Sequence, residues 1–193
     1  MLPPERPAGL RLLGLRPGLR YWRIDAEAPG DWSWHGFPAP RHRFDPTDGG
    51  FRTRYASTRL YGAARERYLD TGRFIPADHA GHHVIELVTA RSFRCLDLRN
   101  EATLDLLGLD DRISTSHERV VWSAGQLLAQ RVHGWAGAID GIVYRPRTTP
   151  SSTANVAFWA PDAFTASARP LRECRAELDE LVLRRDFTVE FDW

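Results

Sequence analysis

The chain has 193 residues, of which 42% are hydrophobic and 26% are charged, so it can build one sizeable core and is short for two full domains. Its net charge of +1 gives no support for general binding of polyanions such as nucleic acids. All 26 basic residues are arginine. A GC-rich coding bias explains most of them, and a few suit bidentate recognition of phosphate.

The cysteine content and the hydropathy pattern predict a soluble cytoplasmic protein. Cys95 and Cys174 are too few for a disulfide framework and form no CxxC metal motif, so we expect two buried thiols in a reducing compartment. The first 20 residues are interrupted by Pro and Gly and do not resemble a signal peptide. No apolar run approaches the roughly 18 residues that a membrane span requires, so no membrane partner is expected.

The first third of the chain predicts two short strands separated by a long loop. Residues 1–18 are predicted to form an irregular N-terminal arm, and residues 19–193 a single domain. The alternating, aromatic-rich segment 19–24 predicts a strand. Residues 25–50 contain many Pro, Gly and Trp residues without periodicity, and a loop of this length inside a domain is usually functional. "FRTRYAS" at 51–57 predicts the next strand.

A helix is predicted directly after this strand, in "STRLYGAARERYLDTG". Ser57 or Thr58 is the expected N-cap, and Gly72 lies past the expected end. Four-residue spacing predicts one apolar stripe, formed by Leu60, Ala64 and Tyr68.

The rest of the chain mixes strands and helices without strict alternation, which predicts an α+β fold with a single mixed domain. Strands are expected in "HHVIELVTA", "SFRCLDL", "AIDGIVYRP", "TANVAFWA" and "FTVEFDW". Helices are expected in "EATLDLLG", in "STSHERVVWSAGQLLAQRVHG" with Ser116 as its cap, and in "LRECRAELDELVLRR".

Common catalytic motifs are absent from the sequence. The cluster "DHAGHH" at 78–83 does not predict a metal site, because His82 and His83 point to opposite faces of a strand. GxSxG, P-loop and GxGxxG motifs are missing, which argues against serine hydrolases, P-loop enzymes and dinucleotide-binding folds of the usual kind.

Three residues form a candidate site. Arg43 lies in the long loop, Tyr55 near the end of the following strand, and Glu66 on the predicted helix. Glu66 lies off the apolar stripe and beside Gly62 and Ala63, where small side chains leave room for a ligand. Taken separately, each residue has an ordinary explanation as a solvated arginine, a core tyrosine or a surface glutamate.

At these residues the sequence resembles the RES domain family, which is named for its Arg, Glu and Ser positions. The matching segments occur in the family's order between about residues 19 and 160 and are "YWRI", "RFDP", "FRTRYAS", "AARE", "LDL" and "DGIVYRPR". The resemblance implies a fold like that of the ADP-ribosyltransferase toxins. It also implies catalytic roles for Arg43, Tyr55 and Glu66, with Arg23 as a further substrate-binding residue.

The family serine follows the "GIVY" strand in a Y-x-S-R pattern, and here the chain has "YRPR" with Pro146 in that place. Proline has no hydroxyl and no backbone N–H, so it cannot make the serine's hydrogen bonds. Hydroxyl groups follow within six residues, and the expected substrate-binding residues here are Thr148, Ser151 and Ser152, with Thr149 as a further source.

The resemblance implies a toxin enzyme that degrades NAD⁺ by cleaving the nicotinamide–ribose bond, by phosphorolysis or hydrolysis. NAD⁺ is then the substrate, inorganic phosphate an optional co-substrate, and no metal or other cofactor is expected. The implied protein partner is a cognate Xre-type antitoxin in a hetero-oligomer, without direct nucleic-acid binding. Two alternatives stay open: an ADP-ribosyltransferase acting on a macromolecule, and a catalytically impaired RES-like binding module.

Overall fold

The computed structural model describes residues 2–36, 39–147, 149 and 152–193. Thr148 and Ser151, two of the predicted substrate-binding residues, lie outside the described residues. The strands are β1 Leu13–Leu15, β2 Arg20–Asp25, β3 Arg54–Ser57, β4 Phe74–Ile75, β5 His83–Thr89, β6 Phe93–Asp97, β7 Gly141–Tyr144, β8 Asn155–Phe158, β9 Phe164–Pro170 and β10 Thr188–Val189. The α-helices are α1 Leu60–Arg67, α2 Glu101–Leu107, α3 Arg112–Thr115, α4 Arg119–Gly134 and α5 Arg175–Arg185.

Within the described residues, eight strands form one sheet in the order β1-β6-β7-β8-β3-β2-β5-β9, and β4 and β10 form a separate parallel pair. The strand pairs of the large sheet are antiparallel except for β6 and β7. A parallel pair needs a crossover connection, and α2, α3 and α4 make it.

One face of the sheet carries two separate hydrophobic clusters. The first packs α2, α3 and α4 against β6, β7 and β8, with Leu128 and Val132 of α4 fully buried. The second packs α1 and α5 against β2 and β5. On the opposite face, Trp32 and Trp34 of the 25–50 loop and Phe164 of β9 pack against the sheet. Burying each large apolar side chain contributes about 1.5–3 kcal/mol, so both clusters hold their helices firmly.

Several local predictions differ from the structure. The irregular arm predicted over residues 1–18 contains β1, because Leu13 and Leu15 pair with β6 at the sheet edge. The predicted N-cap of α1 is wrong: Arg59 occupies that position, since Thr58 Oγ1 accepts a hydrogen bond from Ala154 N and stays with the sheet. Ser116 likewise ends α3, and Glu118 precedes α4.

The C-terminal segment also departs from the expectation. "FTVEFDW" alternates along its length, but only Thr188 and Val189 form a strand, parallel to β4. The strand β9 was not predicted, because its exposed residues show no apolar alternation. In contrast, the stripe of α1 is confirmed: Leu60, Ala64 and Tyr68 are all buried.

Candidate active site

A cleft of about 580 Å³ opens between the two clusters on the same face of the sheet. Its walls are α1 on one side and the 41–45 loop with α4 on the other, and its floor is formed by β3, β7 and β8. The residues that carry its chemistry are Arg23, Asp25, Arg41, His42, Arg43, Asp45, Arg52, Arg54, Tyr55, Ser57, Glu66, Arg67, Asp70, Ser114, Trp122, Tyr144, Arg147 and Asn155. The predicted trio of Arg43, Tyr55 and Glu66 is therefore brought together at one cleft.

The loop that carries Arg43 is fixed by its neighbours in "RFDP". The buried Asp45 carboxylate accepts hydrogen bonds from the backbone N–H groups of Arg41 (2.9 Å) and His42 (2.8 Å). Phe44 is fully buried and packs edge-on against Tyr144, with 5.0 Å between ring centroids. Arg43 lies between the turn that Asp45 closes at residues 41 and 42 and the anchored ring of Phe44, so its backbone has little conformational freedom.

Arg43 is 7% exposed and bridges the loop to the start of α4. Its guanidinium donates to the carbonyl oxygens of Ile113 (3.0 Å) and Ser116 (2.6 Å) and lies 5.4 Å from the centre of the Trp122 ring. Burial lowers the pKa of Arg43 from its ordinary value, although an arginine stays protonated at neutral pH. These two bonds use one N–H group of Nη1 and one of Nη2.

Gly125 of α4 makes this position possible. A Cβ atom at residue 125 would lie 2.7 Å from the backbone oxygen of Arg43 and 3.2 Å from its Cγ. Only glycine lets the helix approach so closely.

Tyr55 connects the loop to β3. Its hydroxyl donates to Asp45 Oδ1 (3.0 Å) and accepts from the backbone N–H of Phe44 (3.0 Å). Burial, with the nearby carboxylate of Asp45, raises the pKa of Tyr55 well above its ordinary value. The hydroxyl is therefore neutral at physiological pH and holds the loop, while the ring faces the cleft.

Glu66 stands on α1 at the mouth of the cleft and is exposed. The helix approaches the sheet closely because Gly62 and Ala63, on the same side, are small and buried. Burial and the Glu66 carboxylate together raise the pKa of Tyr144 on the floor. The Glu66 carboxylate therefore lies close enough to Tyr144 to act on its hydroxyl.

Arg23 also lines the cleft, and it belongs to a cluster of which the sequence predicted only this member. It donates to Asp25 Oδ2 (2.7 Å) and to the carbonyl oxygen of Tyr55 (2.9 Å). Arg54, a residue not predicted, also faces Asp25 (3.5 Å), and both guanidinium groups lie over the Trp32 ring. Burial alone would raise the pKa of Asp25, but the arginines hold it below its ordinary value.

The segment after β7 was expected to supply a hydroxyl group to the cleft, but it supplies the guanidinium group of Arg147. Pro146 is buried, and Ser152 is exposed and is not among the side chains that line the cleft. Arg147 lines the cleft instead: its guanidinium lies 5.9 Å from the centre of the Trp122 ring, on which Arg43 also stacks, and Nη1 is 3.0 Å from His117 Nδ1.

The lining of the cleft is cationic. It includes seven arginines and four carboxylates, although the whole chain is nearly neutral. Clustered guanidinium groups with aromatic faces favour a ligand that carries phosphate groups and flat rings. In the described part of the chain, no group of His, Cys, Asp and Glu side chains is arranged to hold a metal ion, and no helix is long and apolar enough to cross a membrane.

An α+β domain with a cationic cleft over the middle of a mixed sheet is the class that these features define. The RES domain family model matches residues 20–179, so the chain belongs to the RES domain family, as the motifs around Arg43, Tyr55 and Glu66 predict. No curated protein matches the chain.

The fold is similar to that in the crystal structure of the M. tuberculosis MbcT–MbcA toxin–antitoxin complex. The TM-score is 0.52 at 14% sequence identity, over 84% of this chain and 92% of that chain. The predicted fold class, a single mixed α+β domain, is confirmed by this match.

Proposed function

We propose that this protein is a toxin enzyme that cleaves the nicotinamide–ribose bond of NAD⁺. The observation that carries the proposal is the convergence of Arg43, Tyr55 and Glu66 on one arginine-rich cleft of about 580 Å³. This volume lies within the usual range for sites that take small molecules and cofactors.

Each residue suits one part of the reaction. In the cleavage, the bond between ribose C1′ and the nicotinamide nitrogen breaks and its electron pair leaves with nicotinamide. Water or inorganic phosphate forms the new bond to C1′, and water also loses a proton. Glu66 stabilises the positive charge that develops on the ribose and accepts that proton. Arg43 and Arg23 bind the pyrophosphate, and the Tyr55 ring packs against the ribose or the nicotinamide.

The proposal includes a protein partner. The similar solved structure is titled a toxin–antitoxin complex, and membership of the RES family supports the same arrangement for this chain. We therefore propose a cognate antitoxin of the Xre type, which covers the cleft in a hetero-oligomer and blocks access of NAD⁺ in the cytoplasm. No direct nucleic-acid contact by this chain is part of the proposal, since its net charge is only +1.

Product analysis tests the reaction. The purified protein is incubated with NAD⁺, with and without inorganic phosphate, and the products are separated by chromatography. Free ADP-ribose indicates hydrolysis and ADP-ribose 1″-phosphate indicates phosphorolysis, each with one nicotinamide released per NAD⁺ consumed. Transfer of label to added cell extract indicates the ADP-ribosyltransferase alternative.

Matched variants test the site. Glu66→Gln should lower the rate of nicotinamide release by at least 100-fold, while Glu180→Gln, on the exposed surface of α5, should leave it unchanged. Co-expression with its antitoxin should relieve the growth arrest caused by the wild type. If NAD⁺ stays intact under every condition and Glu66→Gln arrests growth like the wild type, the protein is the binding module and the proposal is wrong.

A further inference from the structure

Polar side chains form one row across the floor of the cleft. The strand registers place Ser57 of β3 opposite Asn155 of β8, and Asn155 opposite Tyr144 of β7. Residues directly opposite each other on neighbouring strands point to the same face of a sheet. All three line the cleft, between the wall that carries Glu66 and the wall that carries Arg43.

Two oxygen atoms in this row are buried without a partner. Ser57 is 1% exposed and Asn155 is 2% exposed. Within the part of the chain that the structure describes, neither Ser57 Oγ nor Asn155 Oδ1 makes a hydrogen bond. Buried polar atoms are nearly always paired, so these two neighbouring atoms on the cleft floor are candidates for hydrogen bonds to a ligand.

The row is closely packed. Asn155 lies directly opposite Tyr144 in the register of β7 and β8, and its Oδ1 atom has no hydrogen-bond partner among the described residues. Any side chain at Gly62 of α1 would overlap Ser57 Oγ, so the helix presses directly on this serine. Together the two residues offer one hydroxyl donor and one carbonyl acceptor.

This pair complements a primary carboxamide, whose oxygen accepts one hydrogen bond and whose NH₂ group donates another. We infer that Ser57 and Asn155 form the subsite for the nicotinamide carboxamide, with Ser57 Oγ–H donating to its oxygen and Asn155 Oδ1 accepting from its nitrogen. This assignment rests on the proposed function, and it gives substrate-binding roles to two residues outside the Arg43, Tyr55 and Glu66 trio. The subsite lies beside Glu66, so a carboxamide held there puts the adjoining ribose next to that carboxylate.

Ligand-observed NMR titration of the wild-type chain with two free ligands tests the subsite. Nicotinamide offers the carboxamide, and 3-acetylpyridine keeps the carbonyl oxygen but has a methyl group in place of NH₂. We expect nicotinamide to bind about tenfold more tightly, because the methyl group leaves Asn155 Oδ1 unpaired. Equal binding of the two ligands, or tighter binding of 3-acetylpyridine, overturns the assignment without any variant.

Variants separate the two hydrogen bonds. Asn155→Ala should bring the affinity ratio of the two ligands close to one. Ser57→Ala should weaken both ligands by a similar factor and keep the ratio, because both carry the carbonyl oxygen. Thr103→Val, which removes a buried hydroxyl of α2 that is not part of the cleft lining, should keep the wild-type ratio. A ratio that changes in Ser57→Ala or Thr103→Val but not in Asn155→Ala contradicts the assignment.

The two proposals fail separately. If nicotinamide is preferred as expected but NAD⁺ is not consumed, the subsite stands and the catalytic proposal is wrong. If NAD⁺ is cleaved and the wild type does not distinguish the two ligands, the catalytic proposal stands and the carboxamide subsite is wrong.

Discussion

Replacing Gly125 with alanine should displace Arg43 and reduce NAD⁺ cleavage without unfolding the protein. The added Cβ would lie 2.7 Å from the Arg43 backbone oxygen, a separation that real Cβ atoms do not tolerate. The obstacle is backbone, so the 41–45 loop or α4 must move. Because Phe44 anchors the loop in the core, we expect the guanidinium to shift away from the Ile113 and Ser116 carbonyls.

The magnitude follows from two opposing terms. Alanine is favoured over glycine inside a helix by about 1 kcal/mol, and overpacking a well-packed site costs about 1–3 kcal/mol. The net loss of stability is therefore about 0–2 kcal/mol, which leaves the protein folded. A misplacement of about 1 Å in a catalytic group can cost about 100-fold in rate, so kcat/KM should fall far more than stability does.

Urea unfolding and initial rates of nicotinamide release measure the two effects. The matched control is Gly134→Ala at the end of the same helix, where an added Cβ has nothing within 4 Å. The control should keep wild-type activity and gain slightly in stability. A Gly125→Ala variant with wild-type kcat/KM would refute the argument that close approach of α4 positions Arg43.

Three further predictions concern buried polar groups and a buried thiol. Tyr55→Phe should lower the free energy of unfolding by about 1–3 kcal/mol in urea titrations, because the buried Asp45 carboxylate loses a donor and the Phe44 N–H its acceptor. Asp25→Asn should be less stable than the wild type at pH 7. Because paired arginines depress the folded-state pKa of Asp25, its contribution is complete above the unfolded-state pKa of about 4 and is lost as pH falls through the lower folded-state pKa. The difference between the two unfolding curves should therefore shrink as pH falls below about 4. Cys95 is buried with a raised pKa, so it should react with Ellman's reagent only as fast as the protein unfolds; rapid reaction in the native state would contradict this burial.

Strong local periodicity made most of the fold predictable. The stripe of Leu60, Ala64 and Tyr68 and the apolar segments of β5 to β8 correspond to real elements. Helix starts were less predictable, because the hydroxyl of Thr58 bonds the β8 segment rather than the helix it precedes. Pairing across the sheet was not visible either: β5 and β6 follow each other closely in sequence but pair with different strands.

The candidate site also contains residues that the sequence predicted and residues that only the structure shows. Arg43, Tyr55 and Glu66 lie within 24 residues, and their motifs made them visible in the sequence. Arg54, Trp122 and Asn155 come from three distant segments that meet only in the folded sheet. An isolated asparagine at the start of an apolar strand gives no sign of its role, because the role depends on the residues opposite it in neighbouring strands.

Pro146 removes a hydroxyl at the position where the family motif has serine, but the cleft floor retains polar groups. Ser57 and Asn155 sit on strands whose register is fixed by backbone pairing with β2, β3, β7 and β8, so their positions do not depend on the 145–152 segment. Arg147, the third residue after Tyr144, reaches the Trp122 ring beside Arg43. The proline therefore exchanges a hydroxyl for a restrained backbone between the floor of the cleft and Arg147. In the proposed reaction, the missing hydroxyl bears on phosphate binding, and the proposed nicotinamide subsite keeps both of its residues.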